Sequence, residues 1–466
     1  MGNNKRKVLI IGLDSAPPKL VFDKWLNELP NIKRLVSKGI YGELESTIPA
    51  ITCPAWSSMM TSANPGRLGL YGFRNRTRYD YNTLTFANST SVKEDTVWDI
   101  LSRHNKKVIL IGIPPTYPPK PVNGCMITCF LTPDTNSQYT YPADLKPEVE
   151  AISGGYILDV DDFRSEDKKP ILKTIYEMTQ KRFKIAKNFI QTKEWDFFMM
   201  VEMGPDRIQH AFWKYFDETH PKHQPGSEYK NVIYEYYKYV DKEIGEILSL
   251  TPEDTLIMVV SDHGAKRMDG GIRINQWLIN NGYLKLVKYP SEATPFNKLE
   301  IDWENTTAWG EGGYYGRLFM NVTGREPKGR VARQNYEHVR NELIEGIKSI
   351  RDEHGKNINT RIFKPEDIYS KCAGIPPDLI IYFGDLYWRS IGSVGPPEAD
   401  KTIWADENDT GPDDANHDQY GIFIMSDGHT KQEKRNGLHL MDVAPTILNY
   451  MGIEVPDNME GKVVHS

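Results

Sequence analysis

Short, uninterrupted apolar runs punctuate the chain, and stretches with helical spacing lie between them. The runs Val8–Leu13, Lys107–Ile113, Phe197–Glu202, Leu256–Val260, Leu379–Phe383 and Gly421–Met425 show little polar alternation. Strands covered on both faces read this way. Apolar residues recurring every three or four positions predict helices over about Leu20–Lys38, Val97–His104, Leu172–Thr192, Asn231–Leu250, Val331–Ile350 and Leu440–Met451. This alternation predicts an α/β fold with a mostly parallel central sheet flanked by helices. Three stretches break the rhythm: 114–170, 264–330 and 384–416 are dense in proline, glycine, polar or aromatic residues. Loops this long inside a compact protein are usually lids or added subdomains, so one catalytic domain spanning 1–466 with cap insertions is expected.

Composition narrows the function classes. Hydrophobic residues are 39% and charged residues 26% of 466, ordinary for a globular protein. A net charge of −6 supplies no global positive field for nucleic acid or an acidic membrane surface. No run reaches the roughly 18 apolar residues of a membrane helix. The opening MGNNKRKVLIIGLD has a basic start, but its apolar run is short, ends in Asp14 and lacks a cleavage pattern, so it reads as a strand. The four cysteines (Cys53, Cys125, Cys129 and Cys372) form no C-x-x-C pair. Reduced thiols and a cytoplasmic location are the expectation.

Four places put metal-binding side chains just past a predicted strand, where ligands gather in open parallel sheets. Asp14 directly follows VLIIGL. Thr52 stands two residues before Pro54, at or just before the start of a predicted helix, where the dipole favours anions. Asp206 and His210 are four apart, which on a helix places them on one face. Asp262 and His263 precede Gly264, which permits a turn there. Singly, each has a plainer reading: a turn carboxylate, a capping threonine, a surface ion pair, a solvated histidine. Further histidines at 417, 429 and 439 are open candidates. Together the carboxylates, histidines and hydroxyl suit two divalent cations, zinc first and manganese second.

The set, in its order, resembles the alkaline phosphatase superfamily, and within it the type I phosphodiesterase/nucleotide pyrophosphatase family. The motifs are VLIIGLDSA, TIPAITCPAWSSMMTSANPGRLGLYGF, MGPDRIQHAFW, VVSDHG, IPPDLIIYF and HDQYGIFIMSDG. The resemblance implies an alkaline phosphatase-like fold and two metal ions. One ion would be held by Asp14, Thr52, Asp262 and His263, the other by Asp206, His210 and His417. It implies Thr52 as nucleophile and Cys53 as a bystander. Asn75, between Arg74 and Arg76, is the nearest match to an asparagine that contacts the transferring phosphoryl group in nucleotide-cleaving members. The implied substrate is a small phosphorylated molecule, a nucleotide or nucleotide-sugar among them.

Other readings carry distinct signatures. A sulfatase needs a cysteine or serine in C/S-x-P-x-R, and this chain has Thr52 and Trp56 at the outer positions. A phosphomonoesterase, or a phosphotransferase or mutase of the same superfamily, would use the same metals. A non-catalytic binding protein would lack ligands, whereas all seven expected positions hold competent side chains. The aromatics Trp303, Trp309, Tyr314, Tyr315 and Trp388 either wall a substrate site or pack the cap. Tyr234, Tyr236, Tyr237 and Tyr239 on one helix suggest core packing or a homo-oligomer contact.

Overall fold

The computed structural model describes residues 6–395, 403–405 and 408–465. Its contacts divide the chain into two compact units. The first comprises residues 1–73, 87–265 and 417–466, and the second comprises 74–86 and 266–416.

The first unit is built on a ten-stranded sheet. Its order is Glu433–Lys434, Gly39–Glu45, Tyr420–Ser426, Thr255–Val260, Lys7–Leu13, Phe197–Glu202, Val108–Ile111, Gly124–Ile127 and Thr140–Tyr141, with Leu438–His439 also pairing Gly39–Glu45. The five strands from Thr255–Val260 to Gly124–Ile127 are mutually parallel. Residues 8–11, 197–202 and 255–260 are buried throughout, because helices cover both faces. Long helices at Lys168–Thr192, Gly204–Phe216 and Val232–Leu250 present their apolar sides to one another and to the sheet.

Tyr420–Ser426 runs antiparallel to both neighbours. Its beginning therefore lies at the edge of the sheet where the parallel strands end. That reversal decides which late histidine reaches the site.

Several expectations need correction. The single helix expected over 20–38 is a π-helical segment Lys19–Lys24, a 3-10 turn Leu26–Glu28 and an α-helix Pro30–Ser37. Pro30 has no N–H to continue a helix, so it starts a new one. Leu379–Tyr382 belongs to the second unit, not the central sheet. Residues 114–170 lie in the first unit and supply the strands Gly124–Ile127 and Thr140–Tyr141 of its sheet. Residues 266–330 and the described part of 384–416 lie in the second unit, and 396–402 and 406–407 fall outside the described residues.

The second unit has its own core. A four-stranded antiparallel sheet runs in the order Ala308–Glu311, Gly316–Met320, Leu379–Tyr382 and Arg361–Phe363. Trp309, Leu318, Phe319, Leu343 and Ile381 fill its interior. Tyr81 stacks on Trp303 at 3.6 Å, which favours the packing role for these aromatics. In the first unit Tyr236 and Tyr237 are buried, while the half-buried Tyr234 and Tyr239 meet Trp25 and Tyr176.

Candidate active site

Strand register brings four segments of the first unit to one edge of its sheet. Gly12 pairs with Val201 on one side and Val260 on the other, so the chain leaves all three strands at the same level. Asp14 follows the first strand, Asp206 the second, and Asp262 with His263 the third. His417 approaches the same edge from the opposite direction, ahead of its antiparallel strand. Gly39–Glu45 also ends there, and the chain then enters the helix Thr52–Thr61, all ten residues of which are buried. Thr52 occupies the first position of that helix, at the positive end of its dipole.

The seven predicted ligands gather in this one place. Thr52 Oγ1 lies 3.4 Å from His263 Nε2. His263 Nε2 is 3.3 Å from Asp262 Oδ2 and 3.8 Å from Asp14 Oδ1. Asp206 Oδ1 is 3.2 Å from His210 Nε2 and 3.7 Å from His417 Nε2. The rings of His263 and His417 stack at 3.8 Å. Two ligating groups result, Asp14–Asp262–His263 and Asp206–His263–His417, with the ligand atoms of each within 4.8 Å of one another. His263 belongs to both, whereas the sequence assigned it to one.

The donor set fits divalent cations on geometric grounds. His263 Nδ1 faces the carbonyl of Gly264 and His417 Nδ1 that of Ala50, each at 3.0 Å. A carbonyl only accepts, so each Nδ1 carries the proton and each Nε2 presents a lone pair, as in metal-ligating histidines. The carboxylates repeat one arrangement. Asp14 Oδ2 accepts from Trp56 Nε1 at 2.8 Å, Asp262 Oδ1 from the Ser15 N–H at 3.2 Å, and Asp206 Oδ2 from Arg207 Nη1. The second oxygens of Asp14 and Asp262, Oδ1 and Oδ2, are buried and accept no hydrogen bond, while Asp206 Oδ1 is buried against His210 Nε2 at 3.2 Å. Buried carboxylate oxygens facing the Nε2 lone pairs of His263 and His417 are mutually repulsive unless positive charge lies among them.

Electrostatics agree. Burial, and then the charge of Asp206, pushes the Asp14 carboxyl well above the usual carboxylate range. Burial and then the charge of Asp14 do the same to Asp262. Asp206, against the cost of burial, is held well below that range by His210 and Arg207. Burial pushes His263 down to about 4, and burial with the neighbouring His263 lowers His417. Both imidazoles are thus neutral at pH 7, the form that binds metal.

Asn75 lies on the strand Arg74–Arg76, which belongs to the second unit. Two of the late histidines lie outside the cluster. His429 is exposed, and its backbone N–H donates to Asp427. His439 caps the turn Leu440–Asp442 by accepting from the Met441 N–H. Cys53 is buried and its thiol is pushed well above its usual pKa by burial. Sequence reasoning missed Ser15, which at φ 64° donates its N–H to Asp262 and its hydroxyl to Gly264 O. It also missed Ser261, which accepts from Ala16 N–H and donates to His263 O. Their adjacency to Asp14 and Asp262 was the available signal.

The match to known proteins agrees with this constellation. The family model of type I phosphodiesterase/nucleotide pyrophosphatase matches residues 8–413, and the chain belongs to that family. It is accordingly a phosphoric ester hydrolase of the phosphodiesterase/nucleotide pyrophosphatase type. Human ectonucleotide pyrophosphatase/phosphodiesterase 5 superposes with a TM-score of 0.56 at 12% identity, covering 97% of each chain. An inactive variant of the murine protein in complex with AMP superposes with a TM-score of 0.54 at 11% identity, again over 97% of each. At such identity the likeness establishes the shared fold, an alkaline phosphatase-like one. No protein of curated function matches the chain by sequence. Among the described residues, no helix is long and apolar enough to cross a membrane.

Proposed function

We propose that the chain cleaves a phosphodiester or phosphoanhydride of nucleotide type, with the Thr52 hydroxyl as nucleophile and two divalent cations as cofactors. The observation that carries this is the convergence of three buried carboxylates and two imidazole Nε2 atoms in one cluster, with Thr52 Oγ1 3.4 Å from His263. Asp14, Asp262, His263 and Thr52 would hold one ion, and Asp206, His210 and His417 the other. Oxygen with imidazole nitrogen suits zinc first and manganese second. When bound, the two ions supply the charge that lowers the pKa of a hydroxyl and offsets the charge on the transferring phosphoryl oxygens.

The chain's own groups do the rest. The helix Thr52–Thr61 aims Oγ1 from a rigid, buried element. Thr52 Oγ1 lies 3.4 Å from His263 Nε2, whose lone pair the Gly264 carbonyl leaves available for an ion. Thr52 Oγ1 gives its proton to solvent and attacks phosphorus in line as the bond to the leaving oxygen breaks; that oxygen takes a proton from water, and a second water then cleaves the P–Oγ1 bond, which restores the Thr52 hydroxyl. Nucleotide-type substrates are favoured by the family and by the AMP held in the murine neighbour. Cytoplasmic residence is part of the same proposal, supported by the buried thiols of Cys53, Cys125 and Cys129.

The test is Thr52→Ala. It should retain about two metals per chain and lose at least about 1,000-fold in turnover of bis-p-nitrophenyl phosphate, a loss of the size expected for an essential nucleophile. Turnover near that of the natural enzyme would overturn the role of Thr52. Faster cleavage of p-nitrophenyl phosphate than of the diester would overturn the diester assignment.

A further inference from the structure

Two of the three carboxylates are held by side chains that are not ligands themselves. Trp56 lies one turn after Thr52, is fully buried, and gives its indole N–H to Asp14 Oδ2. Gly12 makes room for the indole: a Cβ there would sit 2.5 Å from Trp56 Cη2. Arg207 directly follows Asp206. Its Nη1 donates to Asp206 Oδ2, while Nε and Nη2 donate to the two oxygens of Asp159 at 2.7 and 2.8 Å. The rings of Phe163 and Phe130 lie 4.5 and 5.4 Å from the guanidinium carbon. The guanidinium is therefore fixed from several directions, by two carboxylates and two aromatic rings.

A carboxylate with one oxygen tied to a fixed donor cannot rotate to exchange its oxygens. For both residues the tied atom is Oδ2, and the atom facing the imidazoles is Oδ1. The two donors stand on different helices, Trp56 on that of Thr52 and Arg207 on that of Asp206. Only a planar, forked cation can bridge Asp206 and Asp159 in this way, so lysine is not equivalent.

We infer that Trp56 and Arg207 are positioning residues that orient the two ligating groups separately. Trp56 sets Asp14, and Arg207, anchored by Asp159, sets Asp206. The inference rests on the metal reading proposed above.

The experiment measures metal stoichiometry and affinity by calorimetry, with visible spectra of the Co²⁺-loaded protein. The natural protein should bind two ions per chain; binding of none would overturn the metal reading itself. Arg207→Lys and Asp159→Asn should each weaken one ion by about 10- to 100-fold, the usual effect of losing a group that orients a ligand, and leave the other unchanged. Trp56→Phe should weaken the opposite ion, so the two sets of variants lose different Co²⁺ bands. Gly12→Ala, which crowds the indole without removing it, should reproduce the Trp56→Phe loss, and Asp159→Asn tests the arginine without altering it. Two ions bound with unchanged affinity in Asp159→Asn and in the Trp56 and Gly12 variants would overturn the positioning roles while leaving the metal reading intact. So would equal weakening of both ions by every variant.

Discussion

The hydroxyl of Thr52 and Nε2 of His263 lie 3.4 Å apart although 211 residues separate them in sequence. His263 also belongs to both ligating groups, through Asp14 with Asp262 and through Asp206 with His417. This makes it the hinge of the centre in a way its neighbours are not.

His263 Nε2 has a single lone pair for one ion, but its ring packs at 3.8 Å on His417 of the other group, so its removal should cost more metal than removal of His210. His263→Ala is expected to lower metal content from about two per chain toward none, whereas His210→Ala lowers it toward one. Elemental analysis of the dialysed proteins checks this. Equal loss from the two variants would contradict this order.

Cys53 adjoins the nucleophile yet should be chemically silent. Its thiol is buried, and burial keeps it protonated far above pH 8. Iodoacetamide at pH 8 should label the exposed Cys372 and spare Cys53, with activity intact. Cys53→Ala should cost on the order of 1 kcal/mol in stability and little in turnover. Peptide mapping by mass spectrometry reads the first outcome and urea unfolding the second.

Gly204 should not tolerate a side chain. A Cβ there would lie 1.7 Å from the Tyr236 hydroxyl and 2.9 Å from Glu202 Oε1. Glu202 accepts from the Gly204 N–H and the Thr179 hydroxyl, and its other oxygen lies 3.5 Å from Arg182 in a fully buried pair. Gly204→Ala must displace this junction, which launches the helix of Asp206. The expected cost is about 2–4 kcal/mol, within the range for overpacking and for disturbing a buried ion pair. Denaturant melts should show that cost, and metal analysis should show weakened binding at the Asp206 group.

His439 should make stability depend on pH. Its Nδ1 accepts the Met441 N–H at 3.1 Å, which requires the neutral ring, and burial lowers its pKa. The unfolded chain therefore binds a proton more readily, with a pKa near 6.5. The contribution of His439 is complete above about pH 6.5 and declines as pH falls from there toward the lower folded pKa, by at most about 1.4 kcal/mol per pH unit. His439→Asn keeps an acceptor at the cap without titrating. The stability difference between the two proteins should be flat above pH 7 and move against the natural protein below pH 6. A difference independent of pH would refute the assignment.

The sequence by itself determined the elements and the reactive vocabulary. Continuous apolar runs encode buried strands locally, so five of the six expected central strands are in the sheet. Asp14 and Asp262–His263 follow two of these runs directly. Asp206 and His210 sit one turn apart on the helix that follows another. The strand Gly39–Glu45 escaped notice because glycine and exposed polar positions interrupt its apolar pattern.

What only the tertiary structure decided is which of these groups meet. His417, His429 and His439 are equivalent as letters. The antiparallel course of Tyr420–Ser426 carries the residue before that strand to the edge where the parallel strands end, and leaves His429 at its other end. Trp56 and Arg207 acquired their roles from contacts with Asp14, Asp206 and Asp159. Local periodicity is written residue by residue, but strand order and direction arise from packing among distant segments, and it is these that bring the three carboxylates and two imidazoles around Thr52.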